Sequence, residues 1–168
     1  NKAIQVKLDN ISKGYVDDLE IGGRNLISNL PENWESGYLD ASGNKQVGGA
    51  YLRLKAYHPI KANQKYIINT EPFYQITGRI RNSSGVVIYL FNRNRDDSNP
   101  LIFTTPPDAA DYSLYIANLE LSDLTPSSIS DVKIRLYEGE KDLKYSPSPE
   151  DVQTEINDAK QEALTAAG

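Results

Sequence analysis

The stretch FYQITGRIR, residues 73–81, is the clearest indication of the fold, because its apolar and polar side chains alternate along the chain. In an extended chain its apolar residues fall on one side and its polar residues on the other. The two sets are Tyr74, Ile76 and Ile80 on one side, and Gln75, Thr77, Arg79 and Arg81 on the other. Successive side chains of a β-strand point to opposite faces, so this pattern predicts a strand with one buried face and one polar face.

Similar short segments lie on both sides of that stretch, between Gly22 and Tyr145. Clusters of Gly, Pro, Asn, Asp and Ser separate them, as is typical of turns between strands. The further predicted strands lie within residues 51–57, 65–70, 85–91, 100–105, 112–121 and 131–137. A total of about seven or eight short strands is typical of an all-β domain built as an antiparallel β-sandwich.

Both ends of the chain show a helical pattern instead. Apolar residues recur at spacings of four, three and four in residues 1–21 and again in residues 150–168, the a/d pattern of a coiled coil. These residues are Ile4, Leu8, Ile11 and Tyr15, and then Val152, Ile156, Ala159 and Ala163. Each end has only about two heptads, so we expect each helix to continue into a longer coiled coil of which this chain is a piece. The alternative is two amphipathic helices that lie against the domain.

These patterns divide the chain into three parts. Residues 1–21 form an N-terminal helical linker, residues 22–149 form the β-sandwich, and residues 150–168 form a C-terminal helical linker. A length of 168 residues suits one such domain with short appendages.

The composition excludes several classes of protein. The chain has no Cys, one His and a formal net charge of -5. Without Cys there is no disulfide and no thiolate ligand for zinc. The 23 acids outnumber the 18 Lys and Arg residues, which disfavours nucleic acid as a partner. No apolar run approaches the roughly 20 residues that cross a bilayer, so we expect a soluble chain without membrane insertion.

Three segments carry a resemblance to a known family. They are GGRNLISNLPENWESGYL (22–39), YLRLKAYHPIKANQKYIINT (51–70) and EGEKDLKYSPSPEDV (138–152). In this order they resemble the carbohydrate-binding modules of phage baseplates and tail tips, from phages that infect Gram-positive bacteria. The resemblance covers most of the chain, from about residue 22 to residue 152.

This resemblance implies a jelly-roll sandwich that binds host cell-wall polysaccharide or another surface glycan, without cleaving it, and so mediates host adhesion. It also implies a receptor-binding protein in the virion, at the extracellular tail tip or baseplate. That protein would be a homo-oligomer, with a trimer expected, in contact with other baseplate subunits. The alternative is a structural spacer or protein-interaction sandwich in the same fibre.

One candidate saccharide site is the loop around Trp34. Aromatic rings stack on the apolar faces of sugar rings, and Trp34 is the only Trp, with Tyr38 four residues later. The alternative is that Trp34 closes one end of the sandwich.

A second candidate site is the polar face of the sheet, where Tyr and Arg residues would lie side by side. The chain has 11 Tyr, and Tyr suits wet recognition surfaces. The rigid Arg guanidinium can donate two parallel hydrogen bonds to a phosphate or carboxylate, so this face predicts an anionic polysaccharide as ligand. The alternative is a solvated sheet face. The residues are Arg53, Lys55, Tyr57, Arg79, Arg81, Tyr89, Phe91 and Tyr115, with Arg93 in the polar loop 92–97.

Other chemistry has weaker support in the sequence. Glu32 and Glu35 are the only close acid pair near an aromatic residue, but they lie in a loop, so we expect no enzyme. His58 precedes Pro59 and is interpreted as a turn residue. No cofactor is expected; the acids of 96–97 and 138–140 could bind a structural Ca²⁺, although their spacing matches no dedicated calcium loop.

Overall fold

The computed structural model describes residues 24–118 and 120–167, with side chains through Thr165, and is mostly β. One long helix, α1 (Pro149–Ala167), follows the strands, and short 3₁₀ helices span Pro31–Asn33 and Pro126–Asp131. The strands are β1 (Trp34–Ser36), β2 (Tyr38–Leu39), β3 (Lys45–Gln46), β4 (Leu52–Leu54), β5 (His58–Pro59), β6 (Lys65–Asn69), β7 (Gln75–Arg81), β8 (Val87–Arg93), β9 (Leu101–Thr104), β10 (Asp111–Ala117) and β11 (Arg135–Glu138).

The strands form two main sheets and one hairpin, all antiparallel. The larger sheet has six strands in the order β1-β4-β10-β7-β8, with β5 also paired to β10. The smaller sheet has the order β11-β6-β9, and β2 pairs with β3 to form the separate hairpin. The all-β antiparallel prediction is confirmed at this level.

Side chains from the two main sheets meet in one hydrophobic core, an arrangement compatible with a β-sandwich. In β7, Ile76 and Ile80 are fully buried, as their alternation predicts. Leu114 of β10 and Leu136 of β11 join the same cluster from the two sheets. Alternation therefore identified the buried face of the central strand correctly.

Each of the seven predicted strand segments contains a strand, but four strands were missed. These are β1, β2, β3 and β5, which have only two or three residues each. A period of two cannot be recognised over so few residues. Within 131–137 the strand begins only at Arg135, yet Val132 and Ile134 are fully buried without belonging to it.

The C-terminal helix is confirmed, and its first turn is held by the domain. Asp151 accepts hydrogen bonds from Ser28 Oγ and from the backbone N–H of Asn29, both at 2.7 Å. Val152 and Ala159 of the predicted seam are buried. The predicted N-terminal helix, residues 1–21, lies outside the described residues. Within the described part of the chain, no helix has both the length and the apolar character needed to cross a membrane.

Two buried tyrosine hydroxyls make opposite predictions for stability. The Tyr112 hydroxyl is buried and has no hydrogen-bond partner among residues 24–118 and 120–167, and burial raises the pKa of this group above its ordinary value. The Tyr66 hydroxyl accepts a hydrogen bond of 3.0 Å from the backbone N–H of Lys61. Removing an unpaired buried hydroxyl relieves a desolvation cost, so Tyr112→Phe should raise the free energy of unfolding by about 1 kcal/mol.

The matched variant is Tyr66→Phe, which deprives the Lys61 N–H of its partner and should lower the free energy of unfolding by about 1 kcal/mol. Urea denaturation followed by circular dichroism measures both. A Tyr112→Phe protein that is less stable than the native chain would show that its hydroxyl has a partner.

Candidate functional site

The face of the larger sheet that points away from the core, here called the outer face, gathers most of the predicted residues. The backbone register aligns Glu35 of β1, Arg53 of β4, Tyr115 of β10, Thr77 of β7 and Asn92 of β8 in one row. Because these positions are direct cross-strand partners, their side chains lie next to each other. The prediction that Arg and Tyr share this face is therefore confirmed for Arg53 and Tyr115.

The β2–β3 hairpin lies over part of the outer face and uses its arginines. Arg53 Nη1 donates to the carbonyl oxygens of Tyr38 (3.0 Å) and Gln46 (2.6 Å). Arg79 donates to the carbonyl oxygens of Leu39 and Asp40. Arg53 and Arg79 are only 8% and 7% exposed. These two arginines therefore hold the hairpin on the sheet and do not form an open groove, which corrects their predicted role.

Two more predicted residues, Tyr57 and Arg81, contact each other. The Arg81 guanidinium lies 3.5 Å from the centre of the Tyr57 ring and donates to both carboxylate oxygens of Asp111, at 2.8 and 2.7 Å. The Tyr57 hydroxyl donates to the carbonyl of Gly43 in the hairpin, at 2.8 Å. A sugar ring cannot stack on the ring face that Arg81 covers.

The interpretation of Trp34 as a saccharide platform is wrong. Trp34 is fully buried, and its Nε1 donates to the carbonyl of Ser28 at 2.9 Å. It belongs to β1 and pairs with Leu54 on the core side of the sheet. The polar neighbours in the sequence suggested a loop because a three-residue strand leaves little alternation to detect. The alternative, that Trp34 closes one end of the sandwich, agrees with the burial of the ring.

Tyr89 and Phe91 were placed on the wrong side of the sheet, and Arg93 was placed in a loop although it is the last residue of β8. Their cross-strand partners are Ile80, Gly78 and Ile76, which lie on the core side. Residues 85–91 are apolar almost throughout, so alternation could not show which face is buried.

The core contacts of β8 explain this orientation. The rings of Phe91 and Phe103 stack with centres 4.5 Å apart. Gly78 leaves room for Phe91, since a Cβ there would lie 1.9 Å from the ring. Arg93 is 3% exposed and donates to Thr70 Oγ1 (2.6 Å) and to the carbonyl of Tyr74 (2.9 Å). Arg93 is therefore a buried structural residue.

The hairpin leaves a group of three rings at one end of the outer face, here called the tyrosine cluster: Tyr38, Tyr51 and Tyr115. The ring centre of Tyr51 lies 5.4 Å from that of Tyr38 and 5.4 Å from that of Tyr115. Tyr38 and Tyr51 are partly exposed. A Cβ at Gly48 would lie 3.1 Å from both of these rings, so a larger residue there would crowd them.

Beside the tyrosine cluster runs a line of uncharged polar side chains, here called the polar row: Gln75, Thr77 and Asn92. Gln75 Nε2 donates to Thr77 Oγ1 at 3.0 Å, and Thr77 Oγ1 donates to Asn92 Oδ1 at 2.9 Å. Thr77 is the cross-strand partner of Tyr115, which places the polar row against the rings. Asn92 Nδ2 also donates to Asn94 Oδ1 at 3.5 Å. These bonds orient both amides and, among the described residues, leave Gln75 Oε1 and one hydrogen of Asn92 Nδ2 for other partners.

Sequence reasoning included Tyr38 and Tyr115 among the candidate site residues but omitted Tyr51, Gln75 and Thr77. A signal for them was present, because alternation placed Tyr51 on the face of Arg53, and Gln75 and Thr77 on the face of Arg79. Charge was given more weight than position, and the charged residues are the ones that the fold uses internally.

The acids near this face are arranged for structure. Burial by itself would raise the pKa of Glu35, but hydrogen bonds and charge from Arg53 and Lys45 hold it below its ordinary value. Arg53 Nε lies 2.7 Å and Lys45 Nζ 3.0 Å from Glu35 Oε2. Glu32, the other member of the predicted pair, is exposed. A carboxylate held ionised in this way is poorly suited to donate a proton.

The remaining sequence candidates lie elsewhere. His58 is partly exposed in β5, near the Tyr112 ring, and burial lowers its pKa. Glu138 and Glu140 form ion pairs with Lys61 and Lys65. In residues 24–118 and 120–167, no three His, Asp or Glu side chains come close enough to hold a metal ion.

Comparisons with known proteins add nothing to this geometry. No model of a known protein family matches the chain, and neither does any curated protein. The functional argument therefore rests on the tyrosine cluster and the polar row.

Proposed function

We propose that this chain is a non-catalytic saccharide-binding module whose site is the tyrosine cluster together with the polar row. The observation that carries the proposal is that two partly exposed rings, Tyr38 and Tyr51, pack on Tyr115, whose cross-strand partner Thr77 belongs to an oriented line of amide and hydroxyl groups. Rings stack on the apolar faces of pyranoses, and fixed amides match pairs of neighbouring hydroxyls. The surface offers both.

Binding without cleavage is part of the proposal. Retaining and inverting glycosidases need one carboxylic acid with a raised pKa beside a second carboxylate. The pKa of Glu35 is instead lowered, and its carboxylate is engaged by Arg53 and Lys45. The tyrosine cluster and the polar row contain no carboxylate of their own.

The biological setting is proposed from the sequence resemblance. The module would be a jelly roll in a receptor-binding or baseplate protein of a phage of Gram-positive bacteria, where it would mediate adhesion to host cell-surface saccharide. Helix α1 supports a role as a mounted module, because Asp151 fixes its first turn to Ser28 and Asn29. Coiled-coil continuation of the helical ends, as a trimer among other baseplate subunits, belongs to the same proposal.

A structural spacer is the second candidate. It is favoured by the β2–β3 hairpin, which covers Arg53 and Arg79 and so closes part of the face that a ligand would use. A spacer needs no open polar row, so variants of that row distinguish the two functions.

The test is a glycan array of bacterial cell-wall oligosaccharides, followed by titration calorimetry on the best binder. The double variant Gln75→Ala, Asn92→Ala should weaken binding about thirtyfold, because two lost hydrogen bonds at about 1 kcal/mol each amount to about 2 kcal/mol. The control is Gln153→Ala, Asn157→Ala, which removes a comparable amide pair, bonded at 2.9 Å, from α1. Native protein that binds no glycan, or equal loss in both double variants, would favour the spacer.

A further inference from the structure

We infer that the site binds uncharged saccharides and discriminates against phosphorylated and uronic polysaccharides, an inference that rests on the proposed function. The sequence predicted an anionic ligand because several arginines share the outer face. The structure shows what those arginines bind, and their bonds lead to the opposite ligand class.

Arg53 has no guanidinium nitrogen left for a ligand. Its Nε and Nη2 contact Glu35 Oε2 at 2.7 and 2.6 Å, and its Nη1 donates to the carbonyls of Tyr38 and Gln46. It shares the Glu35 carboxylate with Lys45, and its side chain is 10% exposed. An anionic ligand would have to displace both the carboxylate and the hairpin carbonyls.

The guanidinium of Arg79 is also hydrogen-bonded at each nitrogen, to two carbonyls of the hairpin and one of β7. Its Nε, Nη1 and Nη2 donate to the carbonyls of Asp40 (2.9 Å), Gly78 (3.1 Å) and Leu39 (3.2 Å). Redirecting this guanidinium to a phosphate would leave these carbonyls without their donor under the hairpin, which is unfavourable for buried acceptors.

Arg81 is neutralised by a carboxylate. Its Nε and Nη2 form the two parallel bonds to Asp111 that guanidinium and carboxylate groups prefer, and its plane lies against the Tyr57 ring. The two guanidinium N–H groups that could have bound a phosphate or uronate therefore already bind a carboxylate of the same protein.

The charges at the margins do not replace these arginines. Lys45 pairs with Glu35 at 3.0 Å. Arg95 lies in the turn after β8, directly before Asp96 and Asp97. Lys55 is exposed but lies four residues along the chain from Tyr51, roughly 13 Å when extended. The carboxylate of Asp123 lies next to Gly49, two positions before Tyr51 in the chain, and adds no positive charge there.

What the site presents to a ligand is therefore uncharged. The exposed groups are the rings of Tyr38 and Tyr51 and the free atoms of Gln75 and Asn92. A phosphate or carboxylate placed there would lose water without gaining an opposite charge, which is unfavourable. A neutral pyranose exchanges hydroxyl–water bonds for hydroxyl–amide bonds at little cost.

The experiment compares matched probes on the native chain by calorimetry: a neutral hexose or deoxyhexose oligosaccharide, and the same oligosaccharide carrying a phosphate or a uronic carboxylate. We expect the neutral probe to bind at least about tenfold more tightly. Its Kd should change less than about twofold between about 0.05 and about 0.5 M NaCl, because salt screens charge contacts and has little effect on stacking.

A variant that adds a positive charge to the site provides a second test. Asn92→Lys adds an unpaired charge to the exposed end of the polar row and should strengthen binding of the charged probe by about threefold to tenfold at low salt, with the gain lost at high salt. Asn157→Lys adds the same charge on α1 and should change nothing.

The outcomes separate the two proposals. Equal or tighter binding of the charged probe by the native chain would overturn the inference and leave saccharide binding standing. Binding of neither probe would overturn saccharide binding at this surface, and the inference with it.

Discussion

Trp34→Ala should lower the free energy of unfolding by about 3 to 5 kcal/mol, the range measured for large aromatic residues cut to Ala in protein cores. The ring is fully buried between the sheets, where it belongs to the same cluster as Leu54, and its Nε1 donates to the Ser28 carbonyl. The substitution removes these contacts and leaves a cavity. Circular dichroism in urea should be used, because Trp34 is the only Trp and its fluorescence is lost with it.

Two comparisons make this prediction specific. Trp34→Phe keeps an aromatic ring but loses volume and the bond to Ser28, so we expect a smaller loss, about 1 to 2 kcal/mol. The fraction of Trp34→Ala that remains folded should bind saccharide as the native chain does. Weaker binding without any loss of stability would mean that the ring is exposed and would return the site to the Trp34 loop.

Tyr51→Ala should weaken saccharide binding by about tenfold to a hundredfold, which corresponds to about 1 to 3 kcal/mol for the loss of an aromatic anchor. Tyr51 is partly exposed and lies 5.4 Å from the ring centres of both Tyr38 and Tyr115, so its loss removes one stacking face and loosens the other two. Calorimetry with the best glycan from the array measures the change, and a melting curve confirms that the variant is folded.

Matched variants separate stacking from other effects. Tyr51→Phe keeps the ring face and should retain most of the affinity. Ile102→Ala shortens an exposed apolar side chain, 48% accessible, on β9 of the smaller sheet and should leave binding unchanged. If Tyr51→Ala binds as tightly as the native chain, the tyrosine cluster is not the saccharide site.

Several features of this fold could be predicted from the sequence because their causes are local. Alternation in residues 73–81 predicted the buried pair Ile76 and Ile80. Alternation, or a short apolar run between turn residues, predicted seven segments that each contain a strand. The heptad spacing in residues 150–168 predicted α1. In each case the pattern depends on residues close together in the chain, so no knowledge of distant neighbours was needed.

The candidate site was predicted only in part. The shared face of Arg53, Arg79, Arg81 and Tyr115 follows from alternation in three separate strands, and it is present. The predicted outer-face position of Tyr89 and Phe91 was wrong because nearly every residue of 85–91 is apolar. The predicted exposure of Trp34 was wrong because β1 is only three residues long. Where a segment carries no contrast between its two faces, the partner strand decides the orientation.

The sequence alone establishes that this chain is mostly β, which of its side chains alternate, and that a helix follows the strands. The ligand class inferred for the outer face depends on contacts across long stretches of chain. Arg79 donates a hydrogen bond to the carbonyl of Asp40, 39 positions away, and Thr77 donates one to Asn92 on the neighbouring strand. The charge of an arginine is written in the sequence, but whether that charge faces a ligand or is already neutralised depends on which distant groups folding brings within hydrogen-bond distance.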